Sequence, residues 1–189
     1  MINSIQQLKD SKRMTMTKRQ LFWHSTIVVL FLILPVLTTI DLIKQAASGT
    51  TATGSINDLF WESYILLLPA LIFHFIQKRN LQFKVLDVSL DEASFQEMAL
   101  KAAKWMEWKV VESADSYLVA QNGASWRSFG ERITIIRDSN KILFNSIGDP
   151  ANFYTVPYSG LNQRNRTMFE EQLKELVSNK NLATAGAGF

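Results

Sequence analysis

Apolar and polar positions divide this chain into regimes. Two long apolar runs, Leu21–Ile40 and Leu59–Ile76, are almost free of charge. Beyond residue 80 the pattern shortens to the two-residue alternation of half-buried strands and the three- and four-residue spacing of amphipathic helices. A bilayer core about 30 Å thick takes roughly 20 helical residues, and hydrocarbon offers no partners to backbone N–H and C=O groups. The pattern therefore predicts a transmembrane helical hairpin over 21–78, with spans at about 21–40 and 59–77, followed by a soluble domain.

In the soluble stretch, Gln82–Val88 alternates, with Phe83, Val85 and Asp87 on one side and Lys84, Leu86 and Val88 on the other, which predicts a strand. Ser89 and Glu92 have capping-box spacing, so a helix is expected from Ser89 as N-cap to about Met106. Its buried stripe would be Phe95, Met98, Ala99, Ala102 and Met106. Trp108–Glu112 and Tyr117–Gln121 flank the turn Ser113–Ser116; Glu131–Arg137 and Lys141–Ile147 flank Asp138–Asn140. Both read as hairpins. Ile133 and Ile135 share one strand face, Thr134 and Ile136 the other. A last helix is expected over about Leu161–Ser178, with Met168, Phe169, Leu173, Leu176 and Val177 inward, and 179–189 reads as a flexible Ala/Gly tail. The order β-α-β-β-β-β-α over 80–178 predicts an α+β domain, an antiparallel sheet with two helices on one face.

Charge decides how this pair of parts is oriented. Residues 1–79 carry eight Lys/Arg against four Asp/Glu; residues 80–189 carry twelve against thirteen. The near-neutral soluble domain lacks the footprint of a nucleic-acid binder, so no nucleic-acid partner is expected. The excess is a collar: Lys9, Lys12, Arg13, Lys18 and Arg19 in a basic N-terminal segment over 1–20, and Lys78 and Arg79 after the second run. Lys and Arg mark cytoplasmic ends of membrane helices. The connection Asp41–Asp58 holds only Lys44. The expectation is a multi-pass cell (inner) membrane protein with both termini cytoplasmic. The first run exceeds the 7–15 residues of a signal-peptide core, so it reads as a retained anchor.

Ionisable groups near the membrane are the first candidate site. His24 and His74 fall near the cytoplasmic ends of the two runs, and Asp41 and Glu62 near the outer ends. Intramembrane ionisable groups are functional candidates, and a His pair could titrate near neutral pH. The competing reading places all of them in the headgroup zone, at little cost. Leu21-Phe22-Trp23 and Leu59-Phe60-Trp61 open the two runs alike, which interfacial aromatics explain as well as an internal repeat does.

Within the soluble domain the most distinctive stretches are Ser125-Trp126-Arg127-Ser128-Phe129-Gly130-Glu131-Arg132-Ile133 and Gly160-Leu161-Asn162-Gln163-Arg164-Asn165. Together they resemble a small domain of bacterial, Bacteroidetes-type membrane proteins that carries "SxxSWGExI" and "GxNxxN" motifs. That domain also precedes some rhomboid-like segments. Here Phe129 stands where the motif has Trp. The resemblance implies no established activity, and no rhomboid catalytic motif is present. From the residues themselves, Arg127, Arg132, Arg164 and Arg166 are candidates for an anion or lipid-headgroup contact near the last helix start; solvated arginines on exposed faces are the alternative.

Enzyme chemistry finds little footing. The chain has no cysteine, and its two histidines precede the soluble domain, so thiol or His-based nucleophiles and Cys/His metal sites are not expected there. No catalytic residue, metal or cofactor is assigned. The expected function is a membrane anchor presenting a cytoplasmic interaction module, an adaptor or accessory subunit. Its partners would be the bilayer and a membrane protein or a second copy. The alternatives are an oligomeric channel or transport component and an anionic-lipid sensor.

Overall fold

The computed structural model describes residues 5–49, 58, 61–123, 130–148 and 159–186; the side chains of 23, 24, 159–162 and 179–186 fall outside that description. The chain forms two compact units: Met1–Met16 together with Asn80–Phe189, and Thr17–Arg79.

The first unit is built on strands β1 (Lys84–Leu86), β2 (Lys109–Ala114), β3 (Tyr117–Asn122), β4 (Glu131–Asp138) and β5 (Lys141–Gly148). They form one five-stranded sheet in the order β1-β5-β4-β3-β2, every pair antiparallel. Helices α4 (Glu92–Trp105) and α5 (Ser159–Gly186) complete the β-α-β-β-β-β-α order expected from the pattern. Alternation sends Leu118, Ala120, Ile133, Ile135, Ile142 and Phe144 to one face, where they pack with Phe95, Met98, Ala99 and Ala102 of α4 and Phe169 and Leu173 of α5. Phe144 and Phe169 stack at 4.7 Å between ring centroids.

The start of α4 differs from expectation. Its N-cap is Asp91, whose Oδ1 accepts from the Ser94 N–H at 2.8 Å and whose Oδ2 accepts from the Ser94 hydroxyl at 2.9 Å. Moving the cap two residues on places Leu90 at the position before it and Phe95 in the first turn. Both lie in the main core, the arrangement of a hydrophobic staple. A cap at Ser89 would instead put Leu90 at the first helical position. The helix ends with the Trp108 N–H donating to Ala103 O at 2.8 Å and the Glu107 N–H to Lys104 O at 3.3 Å. This is a Schellman ending, with Glu107 at φ 55 in the place glycine favours. It turns Trp108 into the core against Phe144.

Two further features of this unit go beyond the expected boundaries. α5 runs on to Gly186, through most of the stretch read as a flexible tail. The basic N-terminal segment also has a place in the fold. Helix α1 (Ile5–Ser11) buries Leu8 against Phe83, Ile136 and Leu143, on the sheet face opposite α4 and α5. The chain after α1 bridges to the lead-in of β1: Met14 N–H donates to Leu81 O at 2.8 Å and Phe83 N–H to Lys12 O at 2.9 Å. The sheet thus carries helices on both faces.

The second unit begins at α2 (Lys18–Ser48), capped by Thr17 in a reciprocal capping box with Gln20 and closed by Gly49 at φ 69. Within α2, Ser25–Ser48 is long and apolar enough to cross a membrane, and 11% of its most apolar window is buried. The helix therefore continues beyond the Ile40 boundary, past Asp41 and Lys44 to Ser48. The second expected span is not one helix among the described residues. Residues 61–64 are helical, 65 and 66 form a turn, and α3 covers Leu67–Asn80. Pro69 accounts for the break: it has no N–H, and its ring crowds the carbonyl four residues back, at Ile65. The local bonds shorten accordingly, Leu66 N–H to Ser63 O and Leu68 N–H to Ile65 O. Fourteen residues span about 21 Å.

These helices run antiparallel. Thr38 and Ser63 hydroxyls meet at 2.9 Å, Thr39 and Tyr64 hydroxyls at 3.1 Å, and Phe31 stacks on Phe73 at 5.6 Å. Thr38 and Thr39 also donate to carbonyls of the Pro35 turn, where proline has removed a backbone donor.

Candidate functional site

The most unusual group in the sheet unit is a buried carboxylate. Glu131 opens β4, one residue after Gly130, whose φ of 88 suits glycine alone. Glu131 alternates with Ile133 and Ile135, so it points to the face covered by α4 and α5. There Ser146 of β5 and Asn165 of α5 meet it. Asn165 Nδ2 donates to Glu131 Oε2 in a short contact and lies 3.3 Å from Ser146 Oγ; the Ser146 hydroxyl reaches the same carboxylate oxygen at 3.4 Å. All three residues are buried. Burial pushes the Glu131 carboxyl above its ordinary value, and the hydrogen bonds from Ser146 and Asn165 offset part of that. The result is a proton-binding group that fastens the early turns of α5 to the end of the sheet. Chemically it can hold or release one proton; among the described residues no group of His, Cys, Asp and Glu is arranged to hold a metal ion.

Beside it lies an ion-pair cluster. Glu170 of α5 accepts from Lys84 of β1 in a short contact and from Arg166 at 3.1 Å. Burial alone would raise the Glu170 carboxyl; the Lys84 and then the Arg166 contacts outweigh it and hold the group below its ordinary value.

The proposed arginine site is dispersed. Arg127 lies outside the described residues. Arg132 pairs across the sheet with Gln121 and Ile147 on the face away from α5, where its buried Nε has no partner among the described residues. Arg164 is exposed on α5, and Arg166 is engaged with Glu170.

In the helical unit, the pairing of 38 with 63 and 31 with 73 sets the levels. Asp41 and Glu62 stand at the same level, both exposed. Asp41 lies 3.8 Å from Lys44. His74 is exposed with its ring edge-on to Phe75 at 6.0 Å. His24 lies on α2, about 9 Å along the helix from the position level with His74, nearly two turns.

Sequence reasoning passed over Glu131 and Asn165 although both stood in stretches it singled out. The signal was available. Glu131 has the parity of the core-facing Ile133 and Ile135, and Asn165 precedes the buried Phe169 and Leu173 by four and eight residues. A polar residue on a core-facing stripe predicts that it is buried, and here there are two.

Asn145 was equally unmarked. On the α1-covered face its Nδ2 donates to Asn80 O and Gln82 O, both at 2.9 Å. It clamps the chain where it enters the sheet.

No protein-family model matches this chain, and neither a curated protein nor a solved structure is significantly similar to it.

Proposed function

We propose that residues 17–79 form a hairpin in the cell membrane and that the α+β unit is a cytoplasmic interaction module, an adaptor or accessory subunit of a membrane complex. One observation carries this reading. Residues before and after the apolar region belong to one folded unit, joined by the Lys12–Met14 and Leu81–Phe83 backbone bonds. A chain that leaves such a unit at Met16 and returns at Asn80 has its two ends on one side of any bilayer it enters, so it crosses an even number of times. The Lys/Arg collar assigns that side to the cytoplasm.

Side-chain exposure supports the same reading. Large apolar residues of α2 and α3, among them Leu30, Leu37, Leu68 and Phe75, face outward. A contiguous exposed apolar surface of this size needs a covering, and hydrocarbon supplies one without an unsatisfied backbone group. The interhelical hydroxyl contacts are the kind of polar seam that joins helices in lipid. The second crossing is assigned to residues 59–77, with Pro69 bending it.

The module reading rests on the α+β unit being a compact body to which both flanks of the apolar region belong. Protease digestion of sealed, inside-out and right-side-out vesicles tests the arrangement. Cleavage of the sheet unit only in inside-out vesicles, with release of the chain by detergent but not by carbonate, is expected. Cleavage from the outer face, or a monodisperse protein in detergent-free buffer, would overturn it.

A further inference from the structure

We propose that the free edge of the sheet, strand β2, is a self-association surface that pairs antiparallel with β2 of a second copy of this chain.

β2 closes one end of the sheet, so one of its backbone edges has no strand beside it among the described residues. Apart from its last residue the strand is exposed, with Val110 at 38% and Val111 at 56%. Leu100 and Trp105, on the helix that packs over β2 and β3, are 45% and 53% exposed. Outside the apolar helical unit, these four are the exposed large hydrophobic residues among those described.

The occupant is argued from charge. The sequence of the edge is Lys109-Val110-Val111-Glu112. In a regular strand, residues three apart point to opposite faces. Here a bulge intervenes: Lys109 is opposite Gln121, Val110 opposite Ala120, and Glu112 opposite Val119. Gln121 and Val119 share a face of β3, so the bulge places Lys109 and Glu112 on one face as well. A two-fold axis perpendicular to the sheet keeps faces matched and reverses strand direction. Set at the bulge, it brings Lys109 of each copy opposite Glu112 of the other, and the valines together. An axis through Lys109 or through Glu112 would oppose like charges, which cross-strand pairs disfavour. Of these three registers the charges favour the one at the bulge, and a second copy of the chain carries the matching pair. Glu112 is already oriented by the Tyr117 hydroxyl, which donates to its Oε1. Neither Lys109 nor the second oxygen of Glu112 has an ion-pair partner among the described residues. This surface belongs to the sheet unit and does not depend on the membrane reading.

The experiment uses the full-length chain in mild detergent. The absence of native cysteine makes Val111→Cys the sole thiol, and a short bis-maleimide reports its proximity to a second copy. Cross-linked dimer is expected for Val111→Cys and not for Glu171→Cys on the exposed side of α5. Adding Lys109→Glu to Val111→Cys sets Glu against Glu twice and lowers the dimer yield about tenfold. Adding both Lys109→Glu and Glu112→Lys restores it, because the swapped pair is again complementary. A lysine and a bulge also serve to keep edge strands from pairing. If that is their role here, Val111→Cys gives no more dimer than Glu171→Cys, and the proposal fails. It fails equally if the single and double charge variants cross-link alike.

Discussion

Replacing Leu8 with alanine tests whether the N-terminal segment is part of the sheet unit. Leu8 is 2% exposed and packs with Phe83, Ile136 and Leu143, with Ile5, Met14, Val85 and Tyr117 around them. Helix α1 has seven residues, too few to persist alone in water, so this contact is what holds it. Leu→Ala in a core costs about 2–5 kcal/mol, the spread reflecting how well the site can collapse. A short helix at the margin can settle into the space, which places Leu8→Ala near the lower end, about 2–3 kcal/mol. For a unit of this size each kcal/mol moves the melting temperature by about 4 °C, so a fall of about 10 °C is expected. The assay is thermal unfolding of the full-length protein in detergent, followed by near-UV circular dichroism, with hydrogen exchange read over β4 and β5. Gln7→Ala, on the exposed side of α1, should leave both unchanged. If Leu8→Ala melts within about 2 °C of the parent and only residues 5–13 lose protection, α1 frays independently of the sheet. The inference that both flanks of the apolar region form one unit would then be wrong. A corollary is that residues 80–189 expressed alone expose Phe83, Ile136 and Leu143 and aggregate.

The remaining predictions concern single polar groups. Glu131 has a raised carboxyl pKa in the folded state, so its contribution is present below the unfolded value and is lost as pH rises through the folded one. Glu131→Gln should therefore be more stable than the parent at pH 7.5, with the gap closing toward pH 4; denaturant unfolding at both pH values checks the sign. Asn165→Ala removes one of the two donors to that carboxylate and should cost about 2 kcal/mol at neutral pH, a charge-assisted hydrogen bond's share. Asn145→Leu leaves the Asn80 and Gln82 carbonyls without their donor and should cost about 2–3 kcal/mol, with hydrogen exchange accelerated over 81–85. Thr38→Val should loosen the helix pair by about 0.6 kcal/mol, read as a lower melting temperature of the full-length protein in detergent.

Strand and helix order was legible because each element of the sheet unit buries one face, and a one-sided burial leaves a period in the sequence. Phe95 and Met98, and Phe169 and Leu173, were assigned correctly to buried stripes from spacing alone, and Ile133 and Ile135 to a common strand face. Where two local signals competed, spacing did not choose. Ser89 and Asp91 both have the chemistry of a cap, and Leu90 settled the matter by needing the core. The apolar runs were equally plain, but the break at Ile65–Leu66 depends on which carbonyl Pro69 displaces.

What no local pattern carried was long-range pairing. Leu8 meets Leu143, Asn165 meets Glu131, and Met14 meets Leu81 across separations that contain the apolar region or a whole hairpin. Periodicity says that a side chain is buried and says nothing about what buries it. The sequence by itself determined the apolar region, the order of strands and helices, and the collar of charge. The tertiary structure decided that the N-terminal segment folds onto the far face of the sheet and that a glutamate is sealed beneath the last helix. It decided too that a bulge turns Lys109 and Glu112 to one face. Each of these depends on contacts between distant residues, whose partners are chosen by chain geometry rather than by neighbours along the chain.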